Sequence, residues 1–190
     1  IPDFLASQHP VTNREQADAY LERLTAYGRV LDEESTRIGQ DAGEGAIPPN
    51  FALDGALRQL GEFRAKAPAQ TVLVSAFQQR LAEVTDISDA DKATLVSQAE
   101  SIVRDTVLPA YQRQIDAITQ IRPQATADAG VWKLPNGEAL YATALKAYTT
   151  TSMTPDEIHQ MGLDLIAQLT SEMDTILRAQ GMTRGSVAER

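Results

Sequence analysis

The amino-acid sequence predicts an all-α fold, an irregular multi-helix array of about six or seven helices. Three observations carry that prediction. Apolar residues recur at helical spacing through most of the chain. Residues that cap helix ends stand just before those runs, and glycine and proline clusters fall between them. At 190 residues and 43% hydrophobic, the chain can bury one sizeable core or two small ones without a disulfide or metal staple. A single helical domain over residues 1–190 is the default reading.

Thr12 and Glu15 have the spacing of a capping box, and Ala17, Tyr20, Leu21, Leu24, Gly28, Leu31 and Ile38 then follow one helical face. A long first helix is expected over about residues 13–40. The stretch QDAGEGAIPPN breaks it, and Phe51, Leu53, Ala56, Leu57 and Leu60 mark a second helix opened by Pro49 and weakened at its end by Gly61. Pro68 is expected to open a third, through Val72, Val74, Phe77, Leu81 and Val84. TVLVSAF alone also fits a short buried strand, but the adjoining QQRLAE favours helix.

Ser88 to Asp91 caps a fourth helix, whose stripe runs from Leu95 to Ile118. Pro109 lies inside that stripe and should kink it, because proline removes a donor and crowds the preceding turn. IRPQATADAG should be a surface loop. Beyond it Val131 to Leu134 is expected to be a short extended piece, PNG a turn, and Glu138 the start of another helix. Thr154, Pro155 and Glu157 combine an N-cap, a first-turn proline and a capping-box acid. The helix they open should run through Ile158, Met161, Leu165, Ile166, Leu169, Met173, Ile176 and Leu177 until Gly181 stops it. The first and last long helices are expected to carry most of the packing.

Charge excludes some partners. With 26 acidic against 17 basic residues and a net charge of −9, the chain repels phosphate backbones and anionic headgroups, so no nucleic acid is expected to bind. No apolar run approaches the roughly 20 residues of a membrane span, so no membrane insertion is expected. IPDFLASQHP lacks the basic start and apolar core of a signal peptide. Cysteine is absent, which removes disulfides, thiol nucleophiles and thiolate metal sites.

The residues that do chemistry are sparse. A zinc site needs several converging ligands, usually HExxH plus a third, and this chain has only His9 and His159, in different elements. No metal ligands and no catalytic residues are assigned. DAGEG follows a helix and lacks a following lysine, so it does not match a phosphate-binding loop. There is no G-x-S-x-G elbow. The acidic runs at Asp32 to Glu34 and at Asp89 and Asp91 suit solvated helix surface and caps.

His159 projects beside Leu163, Ile166 and Leu177 at the edge of a broad apolar arc. A partly buried histidine satisfied by a carbonyl or carboxylate is the first expectation; a polar group lining a groove beside the threonine loop is the second. Met161 and Met173 are expected to fill core. Trp132, Tyr141 and Tyr148 bring large amphipathic rings to the neighbourhood of Thr149 to Thr151, where core packing is favoured over ligand contact.

The segment GVWKLPNGEALYATALKAYTTTSMTPDEIHQMGLDLIAQLTSEM, Gly130 to Met173, resembles the hallmark of a bacterial family catalogued as domain of unknown function 885. In that family a G-x-W-x-L-P-x-G-E stretch, a tyrosine-bearing helix, a threonine cluster and T-P-x-E-I-H-x-x-G follow one another. IPPNFALDGALRQL and LPAYQRQIDAI are similar to its weaker upstream signatures. The resemblance implies a helical, zincin-like metallopeptidase, periplasmic, lipid-anchored or secreted, whose HExxH motif lies further downstream. This sequence contains no such motif. The 190 residues are then expected to be the N-terminal fragment of a larger helical hydrolase. Its partners would be the remaining C-terminal part of the same protein and a peptide substrate.

Two functions follow, from different classes. In the first, this segment shapes the substrate cleft of a zinc-dependent peptidase, with Tyr141, Tyr148, Thr150 and His159 as substrate-binding candidates. Zinc in the complete protein would polarise the scissile carbonyl and activate water. The segment alone would hold no cofactor and be inactive. In the second, it is a free-standing acidic helical module that binds a basic protein partner without catalysis.

Overall fold

Asn13 sets the start of the longest helix. Its side chain accepts the Gln16 N–H at 2.9 Å, and Gln16 Oε1 accepts the Thr12 N–H at 2.8 Å in return, a reciprocal cap one residue later than the predicted Thr12–Glu15 box. The computed structural model describes residues 2–190. All regular structure among them is helical, as the sequence predicts. The chain divides into two compact units, one running to Pro135 and the other Asn136–Arg190.

The first unit is built on α2 (Arg14–Gly43). Its Tyr20, Leu24, Tyr27 and Leu31 are all buried, which is the i, i+4, i+7, i+11 face expected of a core helix. Against it run α5 (Asp89–Ile102) and α6 (Leu108–Ile121). A π-turn at Val103–Val107 joins these two into one continuous rod. Pro109 explains the irregularity: without an N–H, and with its ring crowding the preceding turn, it disturbs the α-helical ladder there. Counted as rods, the described residues hold seven helices. Val103 and Val107 remain fully buried, so the π-turn is packed into the core.

The α3 helix (Asn50–Arg64) packs on α6, and α4 (Val72–Ala82) packs on α5. Leu53, Ile118 and Ile121 form a second small core with Ile47 and Leu57 at its edge. TVLVSAF is helix, not strand: Leu73, Val74, Phe77 and Leu81 are buried at i, i+1, i+4 and i+8. Pro68 opens a 3₁₀ turn, Pro68–Gln70, and the α-helix begins only after Thr71. Two bidentate ion pairs cross the surface, Arg113 to Asp32 at 2.7 and 2.8 Å and Arg122 to Asp54 at 2.6 and 2.8 Å. Exposed pairs of this kind are screened by solvent and contribute little to stability, so they align the helices more than they hold them.

A short helix α1 (Pro2–Gln8), for which the sequence shows no clear periodicity, packs on α4. Val131–Lys133 is a 3₁₀ turn and not the extended piece expected.

The second unit contains α7 (Gly137–Thr149) and α8 (Pro155–Ala179). Asn136, at φ 55°, turns the chain into α7, and the predicted box of Thr154 and Glu157 opens α8. Gly181, at φ +82°, ends it. Here the expected division of packing fails. No residue of α8 is buried, whereas α2 carries much of the first unit's core.

Candidate functional site

Tyr141 and Tyr148 are seven residues, two turns, apart on α7 and therefore share a face. Both rings are exposed, Tyr148 to 91%. This corrects the expectation that these rings pack in a core. Trp132, in the first unit, is also exposed, with its indole lying over Gly130 where a Cβ would overlap it.

The threonine loop follows α7 directly. Thr150 has φ 56°, in the left-handed region, and its N–H donates to Lys146 O at 2.9 Å. A β-branched residue there is a true outlier, because its branched side chain meets the backbone. The neighbouring hydroxyls are committed to the loop. Thr149 Oγ1 donates to Leu145 O at 2.7 Å, and Thr151 Oγ1 lies 3.1 Å from it while accepting the Met153 N–H at 3.4 Å. Thr150 Oγ1 donates to Thr149 O at 2.7 Å but stays exposed. Its proton is spent on that carbonyl, and its oxygen keeps the capacity to accept.

Glu157 then closes the loop. Its Oε2 accepts the Thr154 N–H at 2.8 Å and the Thr154 hydroxyl at 2.9 Å. Those two bonds, the backbone one first, hold its carboxyl below the usual glutamate range. His159 lies on the first turns of α8 and is exposed, which corrects the expectation of a partly buried, satisfied ring. An open groove of about 490 Å³ runs along α8, lined by Met153, Glu157, Gln160, Met161, Asp164 and Leu165 among others. None of the four candidates lines it. They share a unit and solvent exposure, but no enclosed pocket.

The chain's other histidine is the buried one. His9 is 6% exposed. Its Nδ1 accepts from Arg23 and its Nε2 donates to Gln16 O at 2.9 Å, an assignment that follows because a guanidinium only donates and a carbonyl only accepts. Arg80 donates to His9 O at 2.6 Å and also to Ala6 O. The ring packs edge-on against Tyr20 at 5.3 Å. Both ring nitrogens are thus spent on tying the N-terminal stretch to α2, a role that the sequence did not signal.

No three His, Asp or Glu side chains converge on a possible metal among the described residues. The zinc implied by the resemblance has no fitting donor set here: His9 has no free nitrogen, and His159 has no ligand partners.

No curated protein matches the chain. A crystal structure described as that of "the putative lipoprotein from Colwellia psychrerythraea" is similar over 99% of this chain, with 30% sequence identity and a TM-score of 0.88. The match covers 32% of that protein's chain, so the present chain spans about a third of its length. A family model described as "Bacterial protein of unknown function (DUF885)" matches residues 1–190, carrying the likeness beyond Gly130 to Met173 to both helical units. Over residues 1–190, the chain belongs to the DUF885 family of bacterial proteins.

Proposed function

We propose that these residues are the N-terminal helical segment of a zinc-dependent peptidase, in which the second unit forms part of the substrate cleft and the HExxH site lies outside this chain. The observation that carries this reading is the exposed tyrosine face of α7, ending at the strained and open Thr150. A phenol offers an apolar ring to a substrate side chain and an O–H to a peptide carbonyl. Two such rings on one helix face, leading to a hydroxyl oxygen that can still accept a hydrogen bond, suit an extended peptide laid along the helix. His159 would add a further polar contact. Zinc, held by residues elsewhere, would supply the Lewis acid.

The resemblance to a lipoprotein supports a periplasmic, lipid-anchored or secreted location. The alternative, an acidic module that recognises a basic partner, needs its acids on the docking face. The second unit does expose acids, Asp156 and Asp164 among them, but it also leaves large apolar and aromatic side chains uncovered, which a basic partner would not match.

The test uses the complete polypeptide encoded by the gene, assayed on a broad peptide mixture with and without a chelator. Chelator-sensitive cleavage is expected, and Tyr148→Phe should lower turnover about tenfold, the loss of one hydrogen bond of about 1.4 kcal/mol, with Tm unchanged. Absence of chelator-sensitive cleavage in the intact polypeptide refutes the peptidase reading. Equal loss of turnover and Tm would return Tyr148 to a packing role.

A further inference from the structure

Helix α8 spreads apolar side chains over an arc about 200° wide on a helical projection, roughly twice the stripe of a surface helix. Met161 and Leu163 mark its two edges, with Leu165, Ile166, Leu169, Met173 and Ile176 between them, each 46% to 64% exposed, and His159, Thr170 and Glu172 interspersed. The opposite side carries Asp156, Gln160, Asp164, Gln168 and Asp174. A stripe of ordinary width needs one neighbour, whereas one of this width needs two. Within the second unit neither is present, since α8 has no buried residue and only Ile158, Gly162, Asp174 and Leu177 are half-buried. A helix of this length gains most of its stability from tertiary packing and little from its own turns.

Three kinds of cover can be weighed. The first unit closes its own core, and its exposed large apolar residues, Phe4, Phe51 and Trp132, are scattered over separate elements; they make no stripe to match α8. A membrane surface would meet the carboxylates of the polar side, where Arg178 is the only cation on α8, whereas interfacial helices carry lysine and arginine there. The related solved chain offers a third. It continues for about two thirds of its length beyond the match, while matching 99% of this chain.

We infer that α8 is the docking surface for the rest of a longer polypeptide, whose apolar helices clasp it from two sides and make it a central buried helix. This rests on the reading of the chain as a segment of a larger protein and is independent of whether that protein cleaves peptides. The occupant is the part of the same polypeptide outside these 190 residues, with apolar helix faces complementary to Leu165, Leu169 and Met173.

Hydrogen–deuterium exchange tests it on the complete polypeptide and on the 190-residue chain at equal concentration. Amides of residues 158–177 should exchange at least about 100-fold more slowly in the complete polypeptide, because a packed helix opens only with a large part of the fold. This comparison needs no variant. Leu169→Glu in the complete polypeptide should remove the protection of α8 while α2 keeps its own, and Thr175→Glu on the polar side should leave both unchanged. Equal exchange in the two proteins overturns the inference. So does protection already present in the 190-residue chain, whether it rises with concentration, as for a second copy, or not, as for cover by the first unit. Protection of α8 without peptide cleavage would sink the peptidase reading alone; cleavage with an unprotected α8 would sink this one alone.

Discussion

The Tyr27 hydroxyl and the Tyr111 hydroxyl meet at 2.8 Å in the core, joining α2 to α6. Phe63 of α3 stacks on the Tyr111 ring at 4.5 Å, so three helices converge on this pair. Each phenol satisfies the other where water has no access. Burial, helped by the hydrogen bond that Tyr27 donates to Tyr111, pushes the Tyr27 phenol far above its ordinary range. Tyr27→Phe leaves the Tyr111 hydroxyl without its partner, and should cost about 1–3 kcal/mol. The double variant with Tyr111→Phe should cost less than the sum of the two singles, because no polar group is then stranded. Urea unfolding of the four proteins measures the coupling; strict additivity would show that the hydroxyls do not interact.

Alkaline pH should weaken the first unit. Tyr20 donates to Leu73 O at 2.7 Å and stacks on Phe77 at 4.6 Å. Burial pushes its phenol up from 10.0 to about 12, against a smaller downward pull from Arg80. Above pH 10 the unfolded chain loses this proton and the folded chain keeps it, so the stabilising contribution is fully present below pH 10 and is lost as pH rises towards 12. Each tyrosine so held lowers stability by about 1.4 kcal/mol per pH unit in that window. Unfolding midpoints across the range, with tyrosinate absorbance as a second probe, should show the decline, and Tyr20→Phe should make it shallower. A midpoint flat from pH 10 to 12 would contradict the burial of Tyr20.

Two glycines of α2 should respond to alanine with opposite signs. A Cβ on Gly28 would stand 2.6 Å from Thr106 Cγ2 and 3.3 Å from Thr106 O, within the π-turn. Gly28→Ala must push the rod away and should destabilise by about 1–3 kcal/mol. At Gly39 nothing lies within 4 Å, and Gly39→Ala should stabilise by about 0.5–1 kcal/mol through reduced unfolded-state entropy. Thermal melts of both variants suffice. A neutral Gly28→Ala would mean that α2 and the π-turn are not in close contact.

Thr150→Gly should release the left-handed strain of a β-branched residue and stabilise the loop between α7 and α8 by about 1 kcal/mol. If the hydroxyl and its fixed position serve substrate binding, the same variant should lower peptide turnover by the complete polypeptide while raising its Tm. Unchanged turnover would leave Thr150 as a helix-ending residue only.

The sequence alone determined the longer helices and several of their starts. Ser88 and Thr154 cap where they were expected, because a cap is a bond between residues two or three apart and needs nothing beyond the local chain. The same applies to the disturbance caused by Pro109, although the form it took, a π-turn settled against Gly28, depended on the facing helix. What tertiary structure decided was burial. The apolar period of α8 resembles that of α2 in sequence, yet α2 is at the centre of a core and α8 has no buried residue. The expectation for His159 failed for the same reason: it is left in solvent, while His9, for which the sequence signalled no role, is locked by Arg23 and the Gln16 carbonyl. Periodicity states which face of a helix seeks cover; whether cover is present depends on residues far away in the chain, and a local pattern carries no record of them.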